Sequence, residues 1–273
     1  MRKSIIITLT AVFCGISVWA ENPCCANAPP KTEVAAVSQD PIQKESNPVI
    51  DEILSKMNEA TKRLESCQTN LSYLCIQDPE LLDSRTLQNG VLYYQKSAKE
   101  SHLRIRFDDM QQDDFEPVNQ REEYLFDGVW LTRINYKLQQ VDLFQQAPED
   151  KPFGVFDLIS HNFPLIGFSK INDIKKNFDI SLPPRNSDPN EPTCLELKVK
   201  KESDFNSDYV KIKIWINNST YLPTKITAYT TQGDERHIEF KHMEVNKKFK
   251  NAVFAIETPA HFRKNIEPLD ETP

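Results

Sequence analysis

The sequence predicts an α+β protein built on a strongly curved antiparallel β-sheet, with an N-terminal helix and short helices covering the concave face. Three observations predict this fold. Apolar and polar residues alternate over most of the chain, as in Leu103–Phe107. An Asp-Gly pair at Asp127-Gly128 separates two such stretches, which is typical of a hairpin. A stripe of apolar residues at helical spacing precedes the first strand.

The composition is that of a globular chain and excludes several classes of function. The 273 residues are 39% hydrophobic and 27% charged, with a net charge of -7, so no nucleic-acid partner is expected. Only 6 glycines are present, and HExxH, GxSxG, P-loop and EF-hand motifs are absent from the sequence. We therefore expect no enzyme, no metal site and no cofactor, and we interpret the five histidines as surface or hydrogen-bonded side chains.

Residues 1–20 are predicted to be a cleaved signal peptide that exports the protein. Arg2 and Lys3 precede a short apolar run, and Val18 and Ala20 form a small-x-small cleavage site before Glu21. The run is shorter than the roughly 20 apolar residues of a membrane span. The alternative is that this segment is retained as an anchor.

Residues 21–47 are predicted to be a disordered linker rich in Pro, Ser and Ala. Adjacent Cys24 and Cys25 are either incidental thiols of this tail, a metal-binding pair or an attachment to another protein. Cys67 and Cys75 could form a disulfide across a turn, or Cys75 could be a buried strand thiol. Cys194 leaves an odd number of cysteines after cleavage.

The folded domain, predicted over residues 48–262, begins with a helix that extends to about Ser66. Asn47 is a suitable N-cap and Pro48 suits the first helical position. The apolar stripe comprises Ile50, Ile53, Leu54, Met57, Thr61 and Leu64 and is expected to face the sheet.

Strands are predicted to follow, the first at Leu71–Gln77, with Asn89-Gly90 as a turn before the second. In the next strand Leu103, Ile105 and Phe107 share one face and Arg104 and Arg106 share the other. An acidic loop is predicted over residues 108–120. After it comes the hairpin around Gly128, on which Trp130 is the best candidate for a residue lining an apolar cavity.

Residues 151–168 are predicted to form short apolar helices that cover the cavity as a lid, because Pro164 and Gly167 interrupt a segment rich in Phe and Leu. Phe156 and Phe163 are its candidate ligand contacts. A proline-rich loop is expected over residues 177–192.

Further alternating strands are predicted in the last third of the chain, where Ile212 and Ile214 would face the cavity. The strands at 226–230 and 237–245 flank Gly233. The last strand is predicted at Val253–Glu257, and residues 263–273 are predicted to be a loose tail.

Four short motifs, taken in order, resemble the periplasmic outer-membrane lipoprotein carrier family (LolA-like, with the LolA/LolB/LppX type of fold). They are Asn89–Tyr94 before a basic residue and the Arg/Phe strand, Tyr124–Trp130, Tyr221–Phe240 and Phe254–Pro259. The resemblance covers about residues 49–262 and implies an incomplete barrel with an apolar lining. Lys96 stands where the family carries a lid-closing Arg, so it is the candidate lid contact, although Lys lacks the forked planar contacts of Arg.

The resemblance implies an exported soluble carrier that moves lipid, or the acyl chains of lipoproteins, across the periplasm towards the outer membrane. An inner-membrane release complex and an outer-membrane acceptor are the implied protein partners, and the protein is expected to be a monomer. The predicted cavity residues are Leu103, Ile105, Phe107, Trp130, Phe156, Phe163, Ile212 and Ile214. Two alternatives stay open, a protein-binding sensor module of the envelope on the same fold and an exported hydrolase.

Overall fold

The computed structural model describes residues 47–96, 101–152, 154–155, 171–184 and 191–269. These residues contain two α-helices, Pro48–Lys62 (α1) and Ile171–Asn177 (α2), and a 3-10 helix at Asn251–Phe254. They also contain twelve strands: β1 (Ser66–Gln77), β2 (Ser84–Lys96), β3 (Ser101–Gln112), β4 (Val118–Phe126), β5 (Trp130–Asn135), β6 (Gln140–Gln145), β7 (Phe178–Ser181), β8 (Thr193–Val199), β9 (Tyr209–Ile216), β10 (Pro223–Thr230), β11 (Glu235–Val245) and β12 (Arg263–Glu267). Over these ranges, no helix is both long and apolar enough to cross a membrane.

All twelve strands belong to one open sheet. Their order is β12-β6-β5-β4-β3-β2-β1-β11-β10-β9-β8-β7, so β12 and β7 form the two edges. Every pairing is antiparallel except that of β12 with β6, which is parallel. The prediction of a large antiparallel sheet is confirmed. Most of the segment predicted to form covering helices, including residues 156–168, lies outside the described residues.

Helix α1 begins as predicted. The side chain of Asn47 accepts a hydrogen bond from the Val49 amide, and Pro48 occupies the first turn. The helix ends at Lys62, earlier than the predicted Ser66. Leu64 fits the helical period and is buried. The helix cannot continue to Ser66, because the backbone of Ser66 is paired with Gln95 of β2.

The hairpin around Asp127-Gly128 is confirmed. Gly128 has a φ of 105°, a conformation that glycine adopts without steric cost. The Asp127 carboxylate accepts hydrogen bonds from the amides of Val129 and Trp130, which closes the turn between β4 and β5. The Asp127 amide donates to the Trp130 carbonyl oxygen, so Gly128 and Val129 are the central residues of the turn. This turn sets which residues of β4 and β5 face each other.

The prediction of a turn at Asn89-Gly90 is wrong, because both residues lie inside β2. The ladder between β2 and β3 shifts register between Asn89 and Gly90, as at a β-bulge. A Cβ atom at Gly90 would lie 1.9 Å from the carbonyl oxygen of Arg106. Glycine is required here for close approach of two strands rather than for a turn.

Five other predictions about element boundaries are corrected. Strand β1 begins at Ser66, not at Leu71. The predicted acidic loop is shorter than residues 108–120, because β3 continues to Gln112 and β4 starts at Val118. Strand β7 occupies the start of the predicted proline-rich loop. The predicted strand at Val253–Glu257 begins inside a 3-10 helix, and part of the predicted loose tail forms β12.

Replacing Gly90 with alanine is expected to destabilise the protein by about 2 kcal/mol or more, because the new methyl group must push β2 away from β3. The midpoint of urea denaturation, compared with that of wild type, measures the effect. A change below about 0.5 kcal/mol would show that the two strands separate there without cost.

Candidate functional site

The sheet has one face whose side chains are mostly apolar and buried, which we call the inner face. It is the face of Leu103, Ile105 and Phe107, as the alternating burial of β3 shows. Cross-strand pairs share a face, so Leu92 opposite Ile105 and Phe126 opposite Leu103 also lie on it. Arg104 and Arg106 point to the opposite, outer face. The predicted register of this strand is therefore confirmed.

The apolar lining extends over most of the sheet. One buried cluster contains residues from each of the strands β1 to β11. The buried residues Ile50, Leu54 and Met57 of α1 belong to the same cluster, as does Ile174 of α2. These memberships are consistent with the apolar stripe of α1 packing against the inner face.

Helix α1 is too small to cover this face alone. Its 15 residues give a rod about 22 Å long and roughly 10 Å wide. Twelve strands spaced about 4.8 Å apart make a sheet on the order of 50 Å across. Val155, and Ile174 of α2, pack into the same cluster, and a twisted sheet that curves around its own apolar side chains would bury more of the inner face. A curved sheet is therefore consistent with the burial.

The inner face divides into two parts with different packing. In the part formed by β8, β9 and β10, six large apolar side chains are 0–1% exposed, namely those of Leu195, Leu197, Ile212, Ile214, Ile216 and Ile226. In the part formed by β2, β3 and β6, Leu92, Leu103, Ile105 and Phe144 retain 7–9% exposure. We call these four residues the β2–β6 patch. Phe126 of β4 and Leu131 of β5 lie between its strands and are 0% and 4% exposed, and Phe240 of β11 is also 8% exposed. The residual access of the inner face is therefore small, and the patch holds most of it.

The predicted cavity residues are distributed unequally over this face. Leu103 and Ile105 belong to the β2–β6 patch, and Phe107 lies on the same face fully buried. Ile212 and Ile214 lie in the tightly packed part. Phe156 and Phe163 lie outside the described residues.

The prediction for Trp130 is wrong. Phe126 pairs with Leu131, which places Leu131 on the inner face and its neighbour Trp130 on the outer one. The alternation of β5 does not distinguish its two faces, because Leu131 on the inner face and Ile134 on the outer face are both buried.

Lys96 is exposed at the end of β2, where its amide donates to the carbonyl of Glu65. The residues that follow it, and those of the predicted lid, lie outside the described ranges. Its role as a lid contact stays a prediction.

Three charged side chains interrupt the inner face on β4, β5 and β6. Arg133 lies on this face opposite Tyr124 on β4 and Asp142 on β6, and Glu122 lies one row further along. The Arg133 Nε donates to Glu122 Oε1 at 2.6 Å. Burial raises the pKa of Tyr124 well above its usual range, with a further contribution from Glu122. Alternation in the sequence did not reveal this group, since Arg133 looks like an outward residue of a short strand.

The outer face of β3 to β6 is also covered, which was not predicted. The chain after β11 crosses it, and Ile256 and Phe262 pack on Ile134 and Val141. Phe249 meets Tyr93 edge to face, with ring centroids 5.9 Å apart. We call this covering part, residues 246–262, the C-terminal strap. It continues directly into β12.

A buried carboxylate lies under the C-terminal strap. The Glu123 side chain is fully buried and Arg104, 13% exposed, donates to it from Nη2 at 2.6 Å. Arg121 and the Tyr136 hydroxyl group donate to the other carboxylate oxygen. The Arg104 Nη1 also donates to the carbonyl oxygen of Val253 at 2.6 Å, so this ion pair ties the strap to the sheet. Arg104 therefore faces outward as predicted, but not into water.

The predicted disulfide between Cys67 and Cys75 is wrong, and the alternative of a buried strand thiol is confirmed. Both residues are buried free thiols on β1. Eight residues of an extended strand span about 26 Å, whereas a disulfide joins Cα atoms roughly 4–7 Å apart. Burial raises the pKa of the Cys67 thiol to about 12, which makes it unreactive.

A cleft of about 650 Å³ lies at the end of β8 and β9, near the start of α1. Val49 and Ile53 of α1, Leu182 and three prolines give it apolar walls, and Trp215, Lys213 and Cys194 contribute from the sheet. Burial raises the pKa of the half-buried Cys194 thiol, and Lys213 partly offsets this effect. Across the described ranges, no group of three His, Cys, Asp or Glu side chains is placed to hold a metal ion.

Comparison with known proteins gives matches in structure only. No protein-family model and no curated protein sequence matches the chain. Among solved structures, the lipoprotein LppX of Mycobacterium tuberculosis is 9% identical, with a TM-score of 0.44 over 75% of this chain and 99% of that one. A LolA superfamily protein of Nitrosomonas europaea is 15% identical, with a TM-score of 0.33 over 76% and 97%.

The MucA/MucB complex of Pseudomonas aeruginosa also matches, at 13% identity and a TM-score of 0.40. That match covers 76% of this chain but only 60% of the other. The family that the sequence resembles is thus represented among these structures. Because all three TM-scores are below 0.5, the function proposed below is argued from the residues of this chain.

Proposed function

We propose that the protein is an exported soluble carrier that binds lipid, or the acyl chains of lipoproteins, on the inner face of its sheet. It would move them across the periplasm towards the outer membrane. The observation that supports this function is the residual access of the β2–β6 patch within a large apolar face. Each methylene group removed from water contributes about 0.8 kcal/mol, so such a face favours acyl chains over polar ligands.

The proposed site is narrower than the sequence predicted. The part formed by β8 to β10 is packed as tightly as an ordinary protein core, so we assign it to stability. The β2–β6 patch is assigned to the ligand, with Leu103 and Ile105 as its central residues. The charges of Arg133 and Glu122 lie on β5 and β4, between the β3 and β6 members of the patch.

Replacing Ile105 with glutamate should leave a folded protein that binds a fluorescent fatty acid at least about tenfold more weakly. The reason is that a carboxylate can keep partial hydration at a partly accessible position but repels an acyl chain there. Displacement titrations measure binding, and a thermal melt reports the fold. Val118→Glu, which adds the same charge at an exposed position of neighbouring β4, should bind normally.

A second variant distinguishes loss of fatty-acid binding at the site from loss of the fold. Ile105→Trp adds apolar volume without charge, so it should weaken fatty-acid binding while the protein melts cooperatively. Wild-type affinity in both folded variants would contradict the proposed site.

Mass spectrometry of organic extracts of the native protein should show a co-purified acyl lipid.

A protein-binding sensor module of the envelope is the second candidate. One observation favours it: the inner-face residues of the cluster are already at most 9% exposed without any ligand, as in an ordinary core. For such a module, Ile105→Glu would unfold the protein and organic extracts would contain no lipid. The same two measurements therefore decide between the candidates.

A further inference from the structure

The cleft beside α1 lies where the preceding chain enters the folded domain. Val49, in the first turn of α1, lines it and is half exposed, while Asn47 at the helix cap is exposed. The opposite wall contains Cys194, which pairs with Trp215 across β8 and β9. Any segment that precedes Asn47 thus starts at the rim of an apolar cleft that contains a thiol.

The distribution of the thiols gives a second, independent observation. Five cysteines follow residue 20, and two of them, Cys67 and Cys75, are buried in β1. Cys194 is accessible from the cleft, and the remaining two are the adjacent Cys24 and Cys25. About 22 residues connect Cys25 to Asn47, which could extend over roughly 75 Å, so the chain length permits contact with Cys194.

The walls of the cleft suit the composition of that segment. Trp215, Leu182 and the prolines offer apolar and aromatic surface, and the segment carries Pro29-Pro30 and the short apolar run Val34–Val37. Proline-containing segments lose little conformational entropy when they bind an aromatic surface. A binding partner attached to the same chain also has a high effective concentration at the cleft.

We propose that residues 21–46 of this chain occupy the cleft and are held there by a disulfide between Cys194 and either Cys24 or Cys25. The S–S bond forms between two Sγ atoms, and the two thiols together give up two protons and two electrons. The disulfide of a thiol oxidoreductase in the export compartment accepts the electrons and becomes a dithiol. The proposal requires the predicted export, because reducing compartments keep such thiols free. It does not depend on lipid binding.

The test uses the full-length chain exported to the periplasm, denatured and alkylated without reduction. One disulfide leaves three alkylated thiols in a chain that begins after residue 20. Protease digestion should release the Cys194 peptide joined to the peptide of Cys24 and Cys25, and reduction should separate them. Cys194→Ser and the double variant Cys24→Ser/Cys25→Ser should both lose the joined peptide, whereas Cys75→Ser should retain it.

Tryptophan fluorescence tests occupation of the cleft itself. Of the three tryptophans, Trp19 lies in the predicted signal peptide, so Trp130→Phe leaves Trp215 as the reporter in the mature chain. Reduction should shift its emission to longer wavelength, and Cys194→Ser in the same background should not respond. An unlinked Cys194, a Cys24–Cys25 disulfide, a disulfide-linked dimer or an unchanged Trp215 emission would each overturn the proposal.

Discussion

Replacing Ile214 with glutamate should lower the free energy of unfolding by more than about 4 kcal/mol and leave little folded protein at 37 °C. Ile214 is 1% exposed and lies between Leu195 of β8 and Ile226 of β10, which are equally buried. Its cross-strand neighbours are apolar and exclude water, so a carboxylate at this position is expected to carry a large desolvation cost that destabilises the fold. Urea denaturation followed by circular dichroism measures the loss.

The matched control for Ile214 lies on the same strand. Val210 of β9 is 50% exposed, so Val210→Glu should change the free energy of unfolding by no more than about 0.5 kcal/mol. A folded Ile214→Glu protein with near-normal stability would show that β8 to β10 enclose an open space. The ligand site would then have to be extended across the whole inner face.

Replacing Glu123 with alanine should cost about 3–5 kcal/mol, because it leaves the largely buried Arg104 without its carboxylate partner. Arg121 and the Tyr136 hydroxyl group lose the same acceptor. We also expect the C-terminal strap to loosen, since Arg104 links Glu123 to Val253. Hydrogen exchange should show faster amide exchange in residues 249–262 before global unfolding.

An exposed ion pair provides the comparison for Glu123. Glu244 lies 2.6 Å from Lys247, but both side chains are about half exposed, so Glu244→Ala should cost well under 1 kcal/mol. If Glu123→Ala is equally mild, the buried carboxylate does not hold the strap. If Glu123→Ala strongly destabilises the protein but amide exchange in residues 249–262 stays slow, the ion pair stabilises the sheet and not the strap.

The sequence predicts the strands well where alternation is strict and one face is buried. Leu103, Ile105 and Phe107 are placed correctly because any other register would bury Arg104 among apolar side chains. The Asp127-Gly128 turn is also predicted, since both residues favour the conformation observed. The cap at Asn47 follows from the same local chemistry.

Features that depend on distant contacts could not be predicted in this way. The Asn89-Gly90 pair predicts a turn, because a bulge and a turn use the same residue types, and only the approach of Arg106 distinguishes them. Trp130 is predicted on the wrong face because β5 buries apolar side chains on both faces, with Leu131 on the inner face and Ile134 on the outer face under the C-terminal strap. The sequence of the strap and β12 shows no alternation that would predict them. Their position depends on pairing with β6 and on packing against the outer face.

The central position of β1 has a consequence for how the chain folds. Strand β1 pairs with β2 on one side and with β11 on the other, and the Ser66 hydroxyl group meets the Lys247 carbonyl oxygen 181 positions away. The two halves of the sheet therefore join only after nearly the whole chain is available. Such long-range closure makes folding slow and leaves unpaired strand edges exposed meanwhile. A chain with this topology can stay unfolded during synthesis, a state that transport through a narrow membrane channel requires.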